Sequence, residues 1–456
     1  MEYQAFLKTK KIIVPSTGID VSDADIPKNL FDYQHDIVKW ALKKGKAAVF
    51  AGTGLGKTRI QVAWAHLVGG TVLILAPLAV APQTVKEAKE IGIDVNLCKT
   101  QSDMKKGINI VNYERMESFD MKHLDGIVLD ESSILKSQTG KTRNWLIEQC
   151  RAIPMKLCCT ATPAPNDYME LGNHAEFLGS MKQSEMLSMF FVHDGSNTSS
   201  WRLKHHAVKA FWEWVASWAV MLTNPTDLGY DGSLFKLPKL NIRQITVHTE
   251  QLTGYLFPIE AQTLQERQQA RRDSTEDRVK ACADLVNKSS ETWLIWCNLN
   301  IESELLKKSL NDAVEVKGSD SVDHKTNAMQ DFTDGNVRVL VSKPMICGFG
   351  MNWQHCHNMV FVGLSDSFEQ YYQAVRRCWR FGQKEEVNVY FITADTEGAV
   401  VANIQRKERD FEQMLSGMIR ATQNITAENI RHTTRNEKKY KAEMKMILPE
   451  WLGGAA

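Results

Sequence analysis

The stretch FAGTGLGKTRI, residues 50–60, follows an apolar run and precedes a segment with helical spacing. Three glycines, two threonines and a lysine share the seven positions 52–58. Ordering that much glycine costs backbone entropy, so the turn needs a use. A phosphate cradle supplies one. Glycines let the backbone bend sharply and aim its N–H groups at one point, and the helix start behind them adds a positive dipole end. In such a turn Lys57 reaches the β- and γ-phosphates and the Thr58 hydroxyl holds Mg²⁺. The usual spacing has glycine at the first position, where this chain has Ala51. The competing reading is a plain glycine-rich link between strand and helix.

Around this turn, short apolar runs alternate with helix-length segments. KAAVFA (46–51), TVLILAP (71–77), INIVN (108–112), GIVLD (126–130) and MKLCCTAT (155–162) read as strands. Near-continuous apolar strands separated by helices predict a parallel sheet covered on both faces. The alternation stops at about 164, where an aromatic- and methionine-rich segment reads as helical. It resumes at about 241 with TWLIWC, AVEVK, VRVLVS, NMVFVG and VNVYFIT. The expected organisation is a first lobe over 1–163, a helical insertion over 164–240, a second lobe over 241–415 and a basic tail over 416–456. No internal repeat is visible.

Composition narrows the class. The 456 residues suffice for two or three domains, and a net charge of +1 excludes a global basic field without excluding a basic groove. Nine cysteines, an odd number without paired metal spacing, predict reduced thiols in a cytosol. The N-terminus lacks the apolar core of a secretory signal. The longest apolar candidate, AFWEWVASWAVML, carries Glu213 and is too short to cross a bilayer. Adjacent ligands in HCH, residues 355–357, do not readily share one tetrahedral ion, so zinc is not expected. The tryptophans between Trp201 and Trp218 read as core of the insertion rather than as a base-stacking platform.

Two more segments carry chemistry. Asp130 and Glu131 directly follow an apolar strand, as a carboxylate near Mg²⁺ and a base for the attacking water would. In QAVRRCWRFGQ, residues 373–383, Arg377 and Arg380 stand three apart, on one face if the segment is helical. Such arginines supply the positive charge that a γ-phosphate needs in its transition state.

Taken in order, these segments resemble a superfamily 2 helicase, and specifically its SWI/SNF-type branch of DNA translocases. LFDYQHDIVKWAL resembles the Q motif, with Gln34 as adenine reader. AGTGLGKT fits motif I, LAPLAVAPQ motif Ia, and VNYERM the Ser-Tyr-Glu segment. DESS fits motif II with Ser132 and Ser133 as departures. TATPAPNDYMELGNHAEFL resembles motif III, CGFGMNWQ motif V, and QAVRRCWRFGQKEEVNVYFI motif VI with its extension. The resemblance, over roughly residues 28–415, implies two RecA-like doubly wound α/β lobes with a helical insertion between them. It implies ATP and Mg²⁺, with Lys57, Asp130, Glu131, Arg377 and Arg380 catalytic. The expected nucleotide contacts are Gln34, Thr53, Gly54, Gly56, Lys57, Thr58, Arg59 and Gly350, and the expected metal contacts are Thr58 and Asp130. DNA, read with little sequence specificity, would meet Pro77, Leu78, Thr160, Thr162, Ser342, Lys343 and Trp353. The compact length fits a cytoplasmic bacterial or phage protein. An RNA helicase, a restriction-system motor and an ATP-gated DNA clamp remain the alternatives.

Overall fold

The computed structural model describes residues 13–78, 80–136, 140–165, 167–194, 197–248, 272–347, 351–363, 367–395 and 398–434. The first lobe opens with helix α1 (Asp32–Lys44), strand β1 (Lys46–Ala51), the glycine-rich turn and α2 (Lys57–Val68). It continues through β2 (Thr71–Ala76), α3 (Val80–Glu90), β3 (Val95–Leu97), β4 (Gly107–Asn112), β5 (Gly126–Asp130), α4 (Lys141–Gln149) and β6 (Met155–Thr160). Then comes an excursion: α5 (Leu171–Leu178), α6 (Gln183–Phe190), an antiparallel hairpin of β7 (Phe191–Asp194) and β8 (Asn197–Leu203), and α7 (Val208–Ala216). The chain then returns as β9 (Ala219–Leu222).

That return revises the expected domain plan. β9 pairs in parallel with β1, so the first sheet runs β3-β4-β2-β5-β6-β1-β9 and is completed only after the excursion. The aromatic segment is thus a layer on the first lobe rather than a spacer between lobes, and it contains a hairpin as well as helices. Its side chains explain the position. Phe177, Phe190, Phe211, Trp214 and Trp218 are buried in the same cluster as Phe50, Leu73 and Leu129 of the sheet. Alternate residues of β1 feed opposite faces: Ala48 and Phe50 join this cluster, while Ala47, Val49 and Ala51 join a second one against α1 and α2. Burial on both faces is why these strands read as unbroken apolar runs.

The second lobe repeats the plan. β10 (Leu240–Val247) and α8 (Thr275–Val286) lead to β11 (Trp293–Trp296), α9 (Asn300–Ser309), β12 (Ala313–Val316), α10 (Val322–Thr333), β13 (Val339–Ser342) and the short α11 (Pro344–Cys347). β14 (Asn358–Phe361), α12 (Phe368–Val375) and β15 (Val387–Ala394) follow. All strands are parallel, in the order β10-β15-β14-β11-β13-β12. The residues from 398 do not begin a loose tail at 416. Gly398–Thr434 is one helix, α13, that starts against the second lobe and ends against the first. Residues 435–456 lie outside the described residues. Among the described residues, no helix is long and apolar enough to cross a membrane.

Candidate nucleotide site and interlobe cleft

The glycine-rich turn sits where β1 ends and α2 begins, at the carboxyl edge of the first sheet, the edge where ligands of such sheets bind. Gly54 and Gly56 hold φ angles of +89° and +69°. Each also faces a close neighbour. A methyl group on Gly54 would lie 2.8 Å from the Phe381 backbone nitrogen, and one on Gly56 would press on the Gln34 side-chain amide. Glycine is required by dihedral at both positions and also by space at Gly54.

Lys57 Nζ donates to the carbonyls of Ala51 (3.0 Å) and Gly52 (3.4 Å), which folds the amine back over its own turn. Burial lowers its pKa, opposed by the nearby Glu131 and Asp130 and assisted by the Arg380 charge. Thr53 Oγ1 is buried without a hydrogen-bond partner. Thr58 opens the first turn of α2, which contains no acidic residue. An orphaned hydroxyl, two left-handed glycines and an unopposed helix N-terminus suit a polyphosphate. Beside them lies a cavity of 280 Å³ lined by Gly52, Thr53, Leu55, Thr223, Phe235 and Phe381 among others, close to the size range of small-molecule sites.

Asp130 ends β5 and is buried. Its pKa rises to about 6, through burial first and the neighbouring Glu131 second, against a hydrogen bond from Gln61 and the charge of Lys57. Tyr113 Oη donates to the Asp130 carbonyl at 2.8 Å. Glu131 is one of two non-glycine residues with positive φ, at +54°, among the described residues. Side chains rarely accept that conformation, and such outliers concentrate at functional sites. Thr160 Oγ1 donates to Glu131 Oε2 at 3.3 Å, which steadies the carboxylate. Ser132 Oγ meets His174 Nε2 of α5 at 3.1 Å. The oxygen donors of Asp130 and Thr58 suit a hard divalent cation such as Mg²⁺.

Across the cleft, α12 ends at Val375, so Arg377 and Arg380 lie on the turn beyond it and not on one helical face. They converge by another route. Arg377 Nη1 and Arg380 Nη1 both donate to the Met351 carbonyl, at 3.1 and 3.4 Å. Arg377 is further held by the Gln373 carbonyl and side-chain oxygen. Arg380 Nε is buried without a partner. Burial depresses both guanidinium pKa values to about 10; the carboxylate of Glu131 opposes this at both, with Asp130 adding at Arg377 and Glu87 at Arg380. Among the described residues the lobes also touch where Phe381 meets Gly54, where Asn352 Nδ2 donates to Glu87 Oε1 at 3.4 Å, and at the ion pair of Lys136 with Glu369. Phe381 also stacks on Phe235, with ring centroids 4.8 Å apart.

Several expected contacts are placed elsewhere. The Gln34 amide is spent within the fold: Nε2 donates to the Leu55 carbonyl and Tyr33 Oη, and Oε1 accepts from Phe31 N–H. It braces the turn rather than standing open to a base. Arg59 turns away to Glu90 at 3.0 Å. Gly350 lies outside the described residues. Thr160, Thr162, Ser342 and Trp353 are fully buried, so they serve the fold in this conformation and offer no surface to a nucleic acid. Ser342 Oγ donates to the Val316 carbonyl and Trp353 Nε1 to Thr333 Oγ1. Pro77 and Leu78 are at the surface, and so is Lys343, whose Nζ donates to Asn300 Oδ1. Cys356 of the HCH triplet is a buried thiol whose hydrogen bonds go to the Thr292 and Asn358 carbonyls. Gln61, Glu87 and Phe381 were missed from the sequence. Only Gln61 left a trace there, a polar residue inside the otherwise apolar run 60–65.

Two parallel α/β lobes with a phosphate-type turn on one and paired arginines on the other define a tandem RecA-like ATPase fold. Comparison with known families refines the class. Residues 31–171 match the DEAD/DEAH box helicase family and residues 277–382 match the helicase conserved C-terminal domain. In that order they indicate a superfamily 2 helicase. Among solved structures, Dbp5 of S. cerevisiae bound to RNA and ADP BeF3 is similar, with a TM-score of 0.52 and 14% identity over 86% of this chain and 98% of its own. A Dbp5 variant in the same type of complex gives 0.53 and 13%, with the same coverage. No curated protein matches the chain significantly.

Proposed function

We propose that this chain is a nucleic-acid-stimulated ATPase that converts closing and opening of its two lobes into movement on a strand. The observation that carries this reading is the convergence of Arg377 and Arg380, through one carbonyl of the second lobe, on the charges of Asp130, Glu131 and Lys57 in the first. Lys57 would leave the Ala51 and Gly52 carbonyls for the β- and γ-phosphates. Thr58 and Asp130 would hold Mg²⁺, which neutralises phosphate charge. Glu131, steadied by Thr160, would take the proton of the attacking water. Arg377 and Arg380 would meet the charge that develops on the γ-phosphoryl group. Hydrolysis then depends on how the lobes are juxtaposed, and a strand held by both lobes controls that juxtaposition.

Two tracks have specific support. The Dbp5 structures contain RNA, which favours an RNA helicase. The resemblance of QAVRRCWRFGQKEEVNVYFI to motif VI with its extension favours the SWI/SNF-type DNA translocase. Exposed Leu78 and the half-buried Pro77 and Lys343 are the accessible candidates for contacting either. Steady-state ATPase rates with duplex DNA, single-stranded DNA and RNA decide the matter. Stimulation of tenfold or more by one of them names the track. A slow rate that ignores all three overturns the motor and leaves a nucleotide-gated clamp.

A further inference from the structure

Helix α2 buries Ile60, Gln61, Val62, Ala63, Trp64 and Ala65. Gln61 alone among them is polar, and it is completely inaccessible. A buried amide is costly unless it is paired. Its nitrogen is paired: Nε2 donates to Asp130 Oδ1 at 2.6 Å, from 69 positions away in sequence, while Oε1 is buried without a hydrogen-bond partner. The four-residue spacing places Gln61 on the same helix face as Lys57; Gln61 reaches the end of β5 while the Lys57 amine folds back on the turn. A bond this short to a carboxylate is charge-assisted and among the stronger kinds.

Resting on the nucleotide reading above, we propose that Gln61 is a positioning residue for the metal-binding carboxylate. It fixes the rotation of the Asp130 side chain by engaging Oδ1. Only Oδ2 is then left for the divalent cation that accompanies the nucleotide. A one-oxygen ligand suits Mg²⁺, which keeps most of its own waters, and disfavours a larger ion that would take both carboxylate oxygens. Without Gln61 the carboxylate is free to rotate, beside a like charge at Glu131 that drives it from the productive orientation.

The test measures binding, not turnover. Retention of a fluorescent ATP analogue is titrated with Mg²⁺, and compared with its affinity in excess chelator. Gln61→Leu is expected to raise the half-saturating Mg²⁺ concentration about tenfold, as loss of a ligand-orienting partner does. Affinity in chelator should stay at the wild-type value. Gln61→Glu keeps the size but loses the donor and adds a like charge, so it should shift the titration further in the same direction; it also serves should the leucine variant fail to fold. A wild-type Mg²⁺ profile in a folded Gln61 variant overturns the proposal, as does an equal loss of affinity with and without metal, which marks a packing role. Wild-type protein whose nucleotide retention ignores Mg²⁺ overturns the metal reading of the whole site as well.

Discussion

The two lobes share an architecture, yet their strand-to-helix turns at the sheet edge are built to opposite ends. In the first lobe β1 passes through glycines into α2, whose first turn has no acid. The N-terminal amides and the positive end of the helix dipole are left for an outside anion. In the second lobe β11 passes into α9 without glycine, and the chain supplies its own anion. Glu302 Oε2 accepts the N–H groups of Asn298 and Leu299, each at 2.8 Å, while Oε1 pairs with Arg278 at 2.7 Å. Both charged groups are completely buried. One fold thus yields a helix start without an internal anion and one that carries its own. In the proposed mechanism the second lobe acts through Arg377 and Arg380 instead.

Lys57→Ala strikes the glycine-rich turn and should have the largest effect. Turnover should fall by at least about 10³-fold, because the phosphates lose a cation where charge develops. A folded variant with normal turnover would break the first half of the comparison. Arg380→Ala strikes the other side of the cleft. It should lower kcat on the order of 10³-fold at saturating nucleic acid while weakening ATP binding less, and lysine should rescue poorly because it lacks the planar fork. Unchanged kcat, with nucleic-acid affinity weakened instead, would make Arg380 a phosphate contact of the track. The internal anion has the reverse signature. Glu302→Ala leaves the buried Arg278 without its carboxylate and should cost about 3–5 kcal/mol of stability in denaturant titrations. Nucleotide affinity of the remaining folded protein should be unchanged, and a selective loss of that affinity would erase the distinction between the turns.

The smallest effect concerns His174, which ties the excursion to motif II through Ser132. Burial depresses its pKa to about 4. As pH falls below the unfolded value near 6.5, the unfolded chain takes up a proton that the folded chain refuses. The stability is therefore complete above pH 6.5 and is lost progressively toward pH 4. The histidine thus contributes to acid destabilisation over the range between those two values. Melting temperatures from pH 7 to 4.5 should fall less steeply in His174→Gln, and parallel slopes would remove the histidine from the acid response.

The parallel sheets and the glycine-rich turn were legible because each leaves a local mark: doubly buried strands read as apolar runs, and a turn with positive φ favours glycine. The end of the first lobe was not. Residues 219–222 continue the run FWEWVASW without a break, and such a run does not distinguish a buried strand from a buried helix. Only pairing with β1 decides it. Thr160, Thr162, Ser342 and Trp353 show a related limit, since motif resemblance locates a segment but does not say which way its side chains face. The arginine pair was found by its charge and misplaced on a helix, because what unites it is the Met351 carbonyl, some 26 and 29 positions away.

Helix α13 links the order of synthesis to the order of folding. Val401, Ile404 and Phe411 enter the core of the second lobe, Met418 and Ile419 enter one core of the first, and Ile430 enters the other. Asn429 Nδ2 donates to the Ala216 carbonyl at 3.2 Å. The last strand of the first sheet ends at Leu222, yet the residue that finishes its packing is made 208 positions later. At about 5–20 residues per second, a ribosome takes roughly 10–40 s to cover that distance. For that interval the nascent first lobe displays apolar surface that its own chain has not yet arrived to cover, and a chaperone has its opportunity there.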